Sequence, residues 1–403
     1  MLVEGNRALQ RRCCLGALFD LEKKPPEICC RVRRLRAVRT RFALPFGHRL
    51  GIHGRNRRGV GWHNHSVGGG VFDQYGTQVC NSPLRRNQLA PVYAQALAER
   101  ERESGPENAK TAHAAADFGR FLLQIGKSAE AEAPLQRAVA IDQHNSDPAI
   151  DADRESLALA LDSQSKHKEA FEYFRQAAEG NNPRVAARSF ARLAEMDPDH
   201  ADIYSRNAVT SEEKASGAGA PRVAILLHEY ALALRARNRD PEAEPLLRRA
   251  LSIQQSAAKA DPQVTISVLN TLGNLLEGRQ QLDEAEKLER MALTVSEERL
   301  GPESVQLAMT CTNLADVLWN KKNLREAGQL YRRAIAVDAS LYGPDRPETA
   351  DDIANLGMLM NDAGQPAAGA ALLRQALAIY EKALGPTSDR AQFIRQRLAQ
   401  SGH

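Results

Sequence analysis

Residues 301–344, GPESVQLAMTCTNLADVLWNKKNLREAGQLYRRAIAVDASLYGP, are the middle copy of a pattern that occurs three times between Thr265 and Gly385. Each copy has a helical pattern, a tight turn, a second helical pattern and a Gly-Pro break. The prolines of the breaks, Pro302, Pro344 and Pro386, are 42 residues apart (344 − 302 and 386 − 344). A fixed period in this range is typical of helical arrays, in which each helix pair buries its apolar face against its neighbours. The stretch therefore predicts an all-α fold.

A spacing of small residues extends this pattern beyond the three copies. Each first helix has Gly or Ala at one position, and the second helix has Gly or Ala 12 residues later and again seven residues after that. Residues seven apart return to nearly the same helix face, and small side chains there allow close helix packing. The positions are Gly119, Ala131 and Ala138; Ala158, Ala170 and Ala177; Ala231, Ala243 and Ala250; Gly273, Ala285 and Ala292; Ala315, Ala327 and Ala334; and Gly357, Gly369 and Ala376.

The spacing of the small residues also predicts one further helix pair. Successive small residues of the first helices are 39, 73, 42, 42 and 42 residues apart, so the gap of 73 must contain another pair. Residues 183–216 supply it, with helices over Pro183–Met196 and residues 200–215. This pair lacks the clean pattern of small residues, and residues 211–220 form a linker rich in Gly, Ser and Ala. We therefore expect a degenerate pair that bends the array or acts as a hinge.

The ends of the repeats follow helix-capping chemistry. The Gly-Pro breaks are expected to end second helices, and Pro302 and Pro344 fit the start of the helix that follows. A last helix over residues 388–400 is expected to cap the array, because its polar side chains can face water. Those side chains are Arg390, Gln392, Arg395, Gln396 and Arg397.

The alternation of small and large residues is that of the tetratricopeptide repeat. Residues 243–251, 330–335 and 341–350 closely resemble the repeats of kinesin light chain, and Asn313-Leu314-Ala315 and Asn355-Leu356-Gly357 match that family's first helix. The resemblance covers about residues 92–400. It implies a right-handed α-solenoid of about seven helix-turn-helix repeats. No heptad stretch like the one that binds the motor's heavy chain precedes the repeats, so the motor function is not carried over.

Residues 1–88 are of a different composition. They contain 17 Lys and Arg against 5 Asp and Glu, a net charge of 17 − 5 = +12, which leaves +4 − 12 = −8 for residues 89–403. Six arginines fall between Arg31 and Arg41, and five of the six cysteines lie in this part. With few large apolar residues, the segment cannot bury enough surface to fold, so we expect a mostly disordered basic arm.

Several interpretations of this arm stay open. Its arginines could neutralise nucleic-acid phosphates, with the repeats as an assembly module. The histidines together with Cys80 could bind metal, and the vicinal cysteine pairs could be lipidated or redox-active. The absence of Met between Met1 and Met196 also fits translation from a misassigned start. The histidines are His48, His53, His63 and His65, and the cysteine pairs are Cys13-Cys14 and Cys29-Cys30.

The sequence contains none of the motifs that mark an enzyme of a common class. There is no phosphate-binding loop, no HExxH zinc motif and no GxSxG nucleophile. We therefore expect a protein without enzymatic activity, cofactor or metal. No apolar run approaches the ~20 residues of a membrane span. Few cysteines in the repeats favour a reducing, cytoplasmic location.

The exposed stripe of the first helices supplies the candidate binding residues. Asparagine amides both donate and accept hydrogen bonds, so a row of them can bind the backbone of an extended peptide, and Trp319 is a candidate anchor. The concave groove is thus expected to bind an unidentified protein or peptide. The candidates are Asn270, Asn274, Asn313, Asp316, Trp319, Asn355 and Asn361. The predicted parts of the chain are an arm (1–90), irregular repeats (91–220), regular repeats (221–386) and a cap with tail (387–403).

Overall fold

A computed structural model of the protein describes residues 71–72, 78–79 and 89–400. The chain divides into two compact units, Met1–Ile141 and Asp142–His403. The Arg-rich stretch 31–41, the four arm histidines and the vicinal cysteines lie outside the described residues, so the interpretations of the arm stay predictions. The predicted boundaries at residues 90, 220 and 386 also stay predictions.

The first unit contains a short hairpin and the first helices. Strand β1 (Val71–Phe72) pairs antiparallel with β2 (Gln78–Val79), an element that was not predicted. Helix α1 (Ala90–Ser104) packs against α2 (Ala109–Gln124), and α3 (Ser128–Asn145) begins in this unit. Leu97 packs on a small core of Ala115, Ala116 and Ala138, in which alanines bring the three helices together.

The second unit consists of consecutive helix pairs. Its helices are α4 (Ile150–Ser163), α5 (His167–Ala178), α6 (Pro183–Met196), α7 (Ala201–Ser216), α8 (Pro221–Arg235), α9 (Asp240–Ser256), α10 (Pro262–Gly278), α11 (Leu282–Val295), α12 (Val305–Asn320), α13 (Leu324–Leu341), α14 (Pro347–Asp362), α15 (Pro366–Leu384) and α16 (Asp389–Gln400). Each even-numbered helix from α4 to α14 packs against the helix that follows. The predicted succession of helix pairs is confirmed in this unit.

The small-residue pattern is confirmed as the basis of the pairing. All 18 predicted Gly and Ala positions are buried. The glycines show how closely the helices approach, because a methyl group on Gly119 would lie within 2.4 Å of the Leu135 side chain and one on Gly369 within 2.7 Å of the Gly357 carbonyl oxygen. The small-residue pattern in the sequence therefore indicates where paired helices pack closely.

The degenerate pair is α6 and α7, joined by a 3-10 turn at Pro198–His200. Helix α6 contacts α4 partly through ion pairs, Arg188 with Glu155 and Arg192 with Asp162. The predicted linker over 211–220 is wrong in extent, because α7 continues to Ser216. The reason is a buried carboxyl group: Glu212 is 2% exposed, and the Ser216 hydroxyl donates to it (2.8 Å), which keeps the last turn helical.

The Gly-Pro breaks end second helices as predicted. Gly301, Gly343 and Gly385 have φ of 87°, 103° and 91°, a left-handed conformation that glycine adopts without strain. The prediction that Pro302 and Pro344 start the next helices is wrong. Helices α12 and α14 begin three residues further on, because the turn needs those residues and Ser304 accepts a hydrogen bond from the Leu307 amide (3.2 Å) as the cap of α12.

The C-terminal helix α16 closes the second unit with one apolar face. Ala391, Ile394 and Leu398 are buried, whereas the five predicted polar side chains are exposed. The predicted polar outer face of this helix is therefore confirmed. None of the helices within the described ranges has the length and apolarity that crossing a lipid bilayer requires.

Candidate functional site

The candidate residues lie on helices α10, α12 and α14, which are first helices of three successive pairs. Helix α8 contacts α10, and α10 contacts α12. Hydrogen bonds described below join α12 to α14. We call the surface that α8, α10, α12 and α14 present, away from their paired helices, the groove face.

Polar side chains join neighbouring first helices at two fixed spacings. Pairs 43 residues apart are His228 with Thr271 (2.9 Å), Asn320 with Glu277 (2.7 Å) and Trp319 with Asp362 (2.9 Å). Pairs 40 residues apart are Asn270 with Thr310 (3.3 Å) and Thr312 with Asp352 (2.7 Å). Since the repeat is 42 residues long, these spacings place the partners side by side on adjacent helices. Part of the predicted polar stripe therefore holds the array together.

Two of the candidate residues do not lie open to the groove. Asn270 is 6% exposed and bonds to Thr310, so the expectation that it is exposed is wrong. The physical reason is the approach of α12, which covers it. Asn361 packs towards its own partner helix, where a methyl group on Gly369 would overlap its amide, and its buried Oδ1 has no hydrogen bond among the described residues.

Three other candidate asparagines of these first helices are partly accessible. Asn274, Asn313 and Asn355 are each half-buried. Within residues 89–400, the side chains of Asn274 and Asn355 have no hydrogen-bond partner. The Asn313 amide interacts with the Glu289 carboxyl group and favours its ionised form. Part of its hydrogen-bonding capacity is therefore already used. The spacing of Asn313 and Asn355, one repeat of 42 residues, puts them at the same height on adjacent helices.

Trp319 and Asp316 lie in a cleft of about 290 Å³. The indole N–H of Trp319 donates to Asp362, and its ring meets that of Tyr331 edge to face at 6.5 Å. The Tyr331 hydroxyl donates to Asp316, and Asn320 donates to Glu277. We call this the acidic cleft; it is lined by Glu277, Asp316, Trp319, Asn320, Lys322 and Asp362.

Burial raises the pKa values of two carboxyl groups of this cleft and of one further group on α14. Burial raises the pKa of Asp316 to about 6, although the hydrogen bond from Tyr331 opposes the shift. Burial, and then repulsion by Asp316, raises the pKa of Glu277. On α14, burial raises the pKa of Asp352 to about 7. Ionisation of these carboxyl groups is therefore unfavourable unless a cation lies near them.

A fully buried carboxyl group lies behind the cleft. Glu289 of α11 is 0% exposed, and neither of its carboxylate oxygens has a hydrogen bond of good geometry in the described chain. Burial, followed by repulsion from Glu277 and Asp316, raises its pKa well above the ordinary value, while Asn313 opposes this. The side chain packs on Gly273, one helical turn before Glu277.

The carboxyl groups around the acidic cleft differ in their partners from the ion-paired glutamates of the second helices. On the second helices, Glu284 pairs with Arg248 (2.7 Å) and Glu326 pairs with Arg290 (2.7 Å), again 42 residues on. By contrast, within residues 89–400 no ion pair reaches the carboxyl groups in and behind the acidic cleft, or Asp352 of α14. These unpaired groups are Glu277, Glu289, Asp316, Asp352 and Asp362.

Family models account for the regular part of the chain. Models described as tetratricopeptide repeat match residues 223–263, 265–306 and 306–382. Residues 223–382 are tetratricopeptide repeats. The predicted repeat type is thereby confirmed for the part that contains the acidic cleft. No curated protein matches the chain.

Three solved structures resemble parts of the chain at low identity. A putative kinesin light chain from Podosopora anserina, with nearly identical TPR-like repeats, is 22% identical with a TM-score of 0.44, covering 50% of this chain and 97% of that one. BtubC (BKLC) from P. vanneervenii is 20% identical, with a TM-score of 0.38 and coverages of 58% and 91%. PilW, a type IV pilus biogenesis factor, is 17% identical, with a TM-score of 0.44 and coverages of 61% and 98%.

The buried Glu289 was not predicted as part of the site, although the tetratricopeptide pattern contains a signal for it. It stands four residues after the small residue that starts the pattern in its second helix, and the equivalent positions elsewhere hold mostly large apolar residues. Only alignment of the repeats reveals the exception. Those equivalents are Leu135, Phe174, Leu247, Tyr331 and Leu373. Asp352 and Asp362 were also missed, since their role depends on the neighbouring helix.

Proposed function

We propose that the repeats bind, without catalysing a reaction, an extended segment of a partner protein along the groove face of α10, α12 and α14. Tetratricopeptide repeats in general mediate protein–protein interactions through such surfaces. The observation that supports the proposal is the set of half-buried asparagines, Asn274, Asn313 and Asn355, beside the cleft of Trp319. Their amides can bond to both the N–H and the C=O groups of a peptide backbone.

Capture of partners by the immobilised full-length protein tests this proposal. A triple variant, Asn274→Ala with Asn313→Ala and Asn355→Ala, is compared with the wild type by quantitative mass spectrometry of proteins retained from a lysate of the source cells. We expect the triple variant to lose the proteins that the wild type enriches, because three backbone contacts disappear. Circular dichroism checks that the variant is folded.

The matched control is Gln329→Ala on α13, which removes an exposed amide from a second helix. This variant should retain the same proteins as the wild type. Equal retention by the wild type and the triple variant would contradict binding on the groove face. Loss of retention in the control as well would mean that binding does not depend on the groove asparagines.

A further inference from the structure

We propose that the acidic cleft is a subsite for one basic side chain, lysine or arginine, of the bound segment. This proposal rests on the proposed function, since it names the chemistry of the segment that the groove face binds. It concerns the cleft between α10 and α12 and the end of α14, not the asparagines that bind a peptide backbone.

The first argument is the state of the carboxyl groups. Glu277, Asp316 and Asp362 each accept a hydrogen bond, but every one of these comes from a neutral donor: the Asn320 amide, the Tyr331 hydroxyl and the Trp319 indole. A carboxylate has about four acceptor sites, so each retains capacity for a charged donor. Hydrogen bonds between ionised partners are about twice as strong as neutral ones.

The second argument is Glu289, which is independent of the cleft's lining. Two other repeats pack a leucine on a glycine in the same position, Leu135 on Gly119 and Leu373 on Gly357. A fully buried carboxyl group in a position that accepts leucine is costly for folding. Burial, and then repulsion from the negative charges of Glu277 and Asp316, raises the pKa of Glu289, so ionisation of the cleft and ionisation of this buried group oppose each other. A bound cation would offset this cost.

The third argument is size and geometry. At about 290 Å³, the cleft is at or below the lower end of pockets for small molecules, which is ~300 Å³. Three of its carboxylate oxygens do not come together within 4.8 Å, as one metal ion would require. A side-chain cation with several donors suits such separated acceptors. The indole of Trp319 also offers a face for a cation. Lys322 is the one cation in the lining, which leaves the cleft with a net negative charge.

Pools of synthetic nonapeptides test the proposal on the immobilised full-length protein. The central residue is fixed as Arg, Lys, norleucine or Glu, and the other eight positions are randomised among uncharged residues. We expect the Arg and Lys pools to be retained about ten-fold more than the norleucine pool. We expect the Glu pool to be retained least.

Variants locate the preference in the cleft. Glu277→Gln and Asp316→Asn keep an acceptor for Asn320 and Tyr331, so they should preserve the fold. They should abolish the preference for Arg and Lys, so that each variant retains the Arg, Lys and norleucine pools to the same extent. Glu284→Gln, on the outer face of α11, should keep the preference of the wild type.

Each other outcome has a defined meaning. Retention of the four pools to the same extent, or best retention of the Glu pool, would overturn the basic subsite while leaving the groove proposal intact. A basic preference that persists in the Glu277→Gln and Asp316→Asn variants would overturn the assignment to this cleft. Loss of norleucine-pool retention in the asparagine triple variant supports the groove itself, and retention there would contradict the groove.

Discussion

Glu289 packs on Gly273 in the position where two other repeats pack a leucine on a glycine. The equivalents are Leu135 on Gly119 and Leu373 on Gly357. The backbone geometry at this position therefore accepts an apolar side chain of similar length. The buried carboxyl group is thus not required by the packing of α10 on α11, and the internal repeats show what an apolar alternative looks like.

Glu289→Leu should stabilise the array. It removes a buried carboxyl group without good hydrogen bonds and fills the same space, so we expect a gain of about 1–3 kcal/mol in the free energy of unfolding at pH 7. Urea unfolding followed by far-ultraviolet circular dichroism measures the gain. The reciprocal variant Leu373→Glu should lose stability. A stability loss in Glu289→Leu would show that the carboxyl group has a structural partner.

The array itself could be predicted from the sequence because its signals are local. A short turn joins the two helices of a pair, so the contact between them is local in the sequence. Small residues such as Ala285 and Ala292 indicate where α11 packs on α10, and both are 0% exposed. The same local chemistry marked the left-handed glycines Gly301 and Gly343. The degenerate pair of α6 and α7 could also be predicted, because the interval between the small residues of the neighbouring first helices is too long for a loop.

The site was predicted less well because it depends on neighbouring first helices. Asn270 and Asn274 are four residues apart and lie on nearly the same helix face. Only contact with α12, 40 residues further on, decides that Asn270 is buried against Thr310 and that Asn274 is not. The periodic sequence does not fix this register between helices. For the same reason, the hydrogen bond from Trp319 to Asp362 could not be predicted from the sequence.

Gly369→Ala should destabilise α14 and α15, although five other repeats have alanine at the equivalent position. A methyl group on Gly369 would come within 2.7 Å of the Gly357 carbonyl oxygen, so the two helices would have to separate. We expect a loss of about 1–3 kcal/mol, measured by urea unfolding and by amide hydrogen exchange in α15.

Gly328→Ala is the matched control for this prediction. Gly328 is also a buried helical glycine, but a methyl group there would meet only the ends of flexible side chains, Leu359 at 3.3 Å and Arg332 at 3.4 Å. Because alanine favours helix over glycine, this variant should be neutral or more stable by up to about 1 kcal/mol. Equal losses in both variants would contradict the close approach of Gly357 and Gly369.

Cys311 should be unreactive in the folded protein. It is 0% exposed, and burial raises the pKa of its thiol to about 11, so the reactive thiolate is scarce at neutral pH. Iodoacetamide labelling followed by peptide mass spectrometry should modify Cys311 in urea but not in buffer. Labelling in buffer at the rate seen in urea would show that α12 opens readily.

The stability of the array should fall as pH rises from about 4 to 7, through groups such as Asp352. Its folded pKa of about 7 lies above the ~3.9 of an unfolded aspartate, so the folded state holds the proton more tightly. This stability is fully present below the unfolded pKa and is lost as the carboxyl group ionises.

Asp352→Asn keeps an acceptor for the Thr312 hydroxyl and cannot ionise. Its unfolding free energy should exceed that of the wild type by on the order of 2 kcal/mol at pH 7.5 and approach it at pH 4. The difference between the two urea-unfolding curves isolates this one group, because other titrating groups contribute to both. A difference that does not change with pH would contradict the raised pKa.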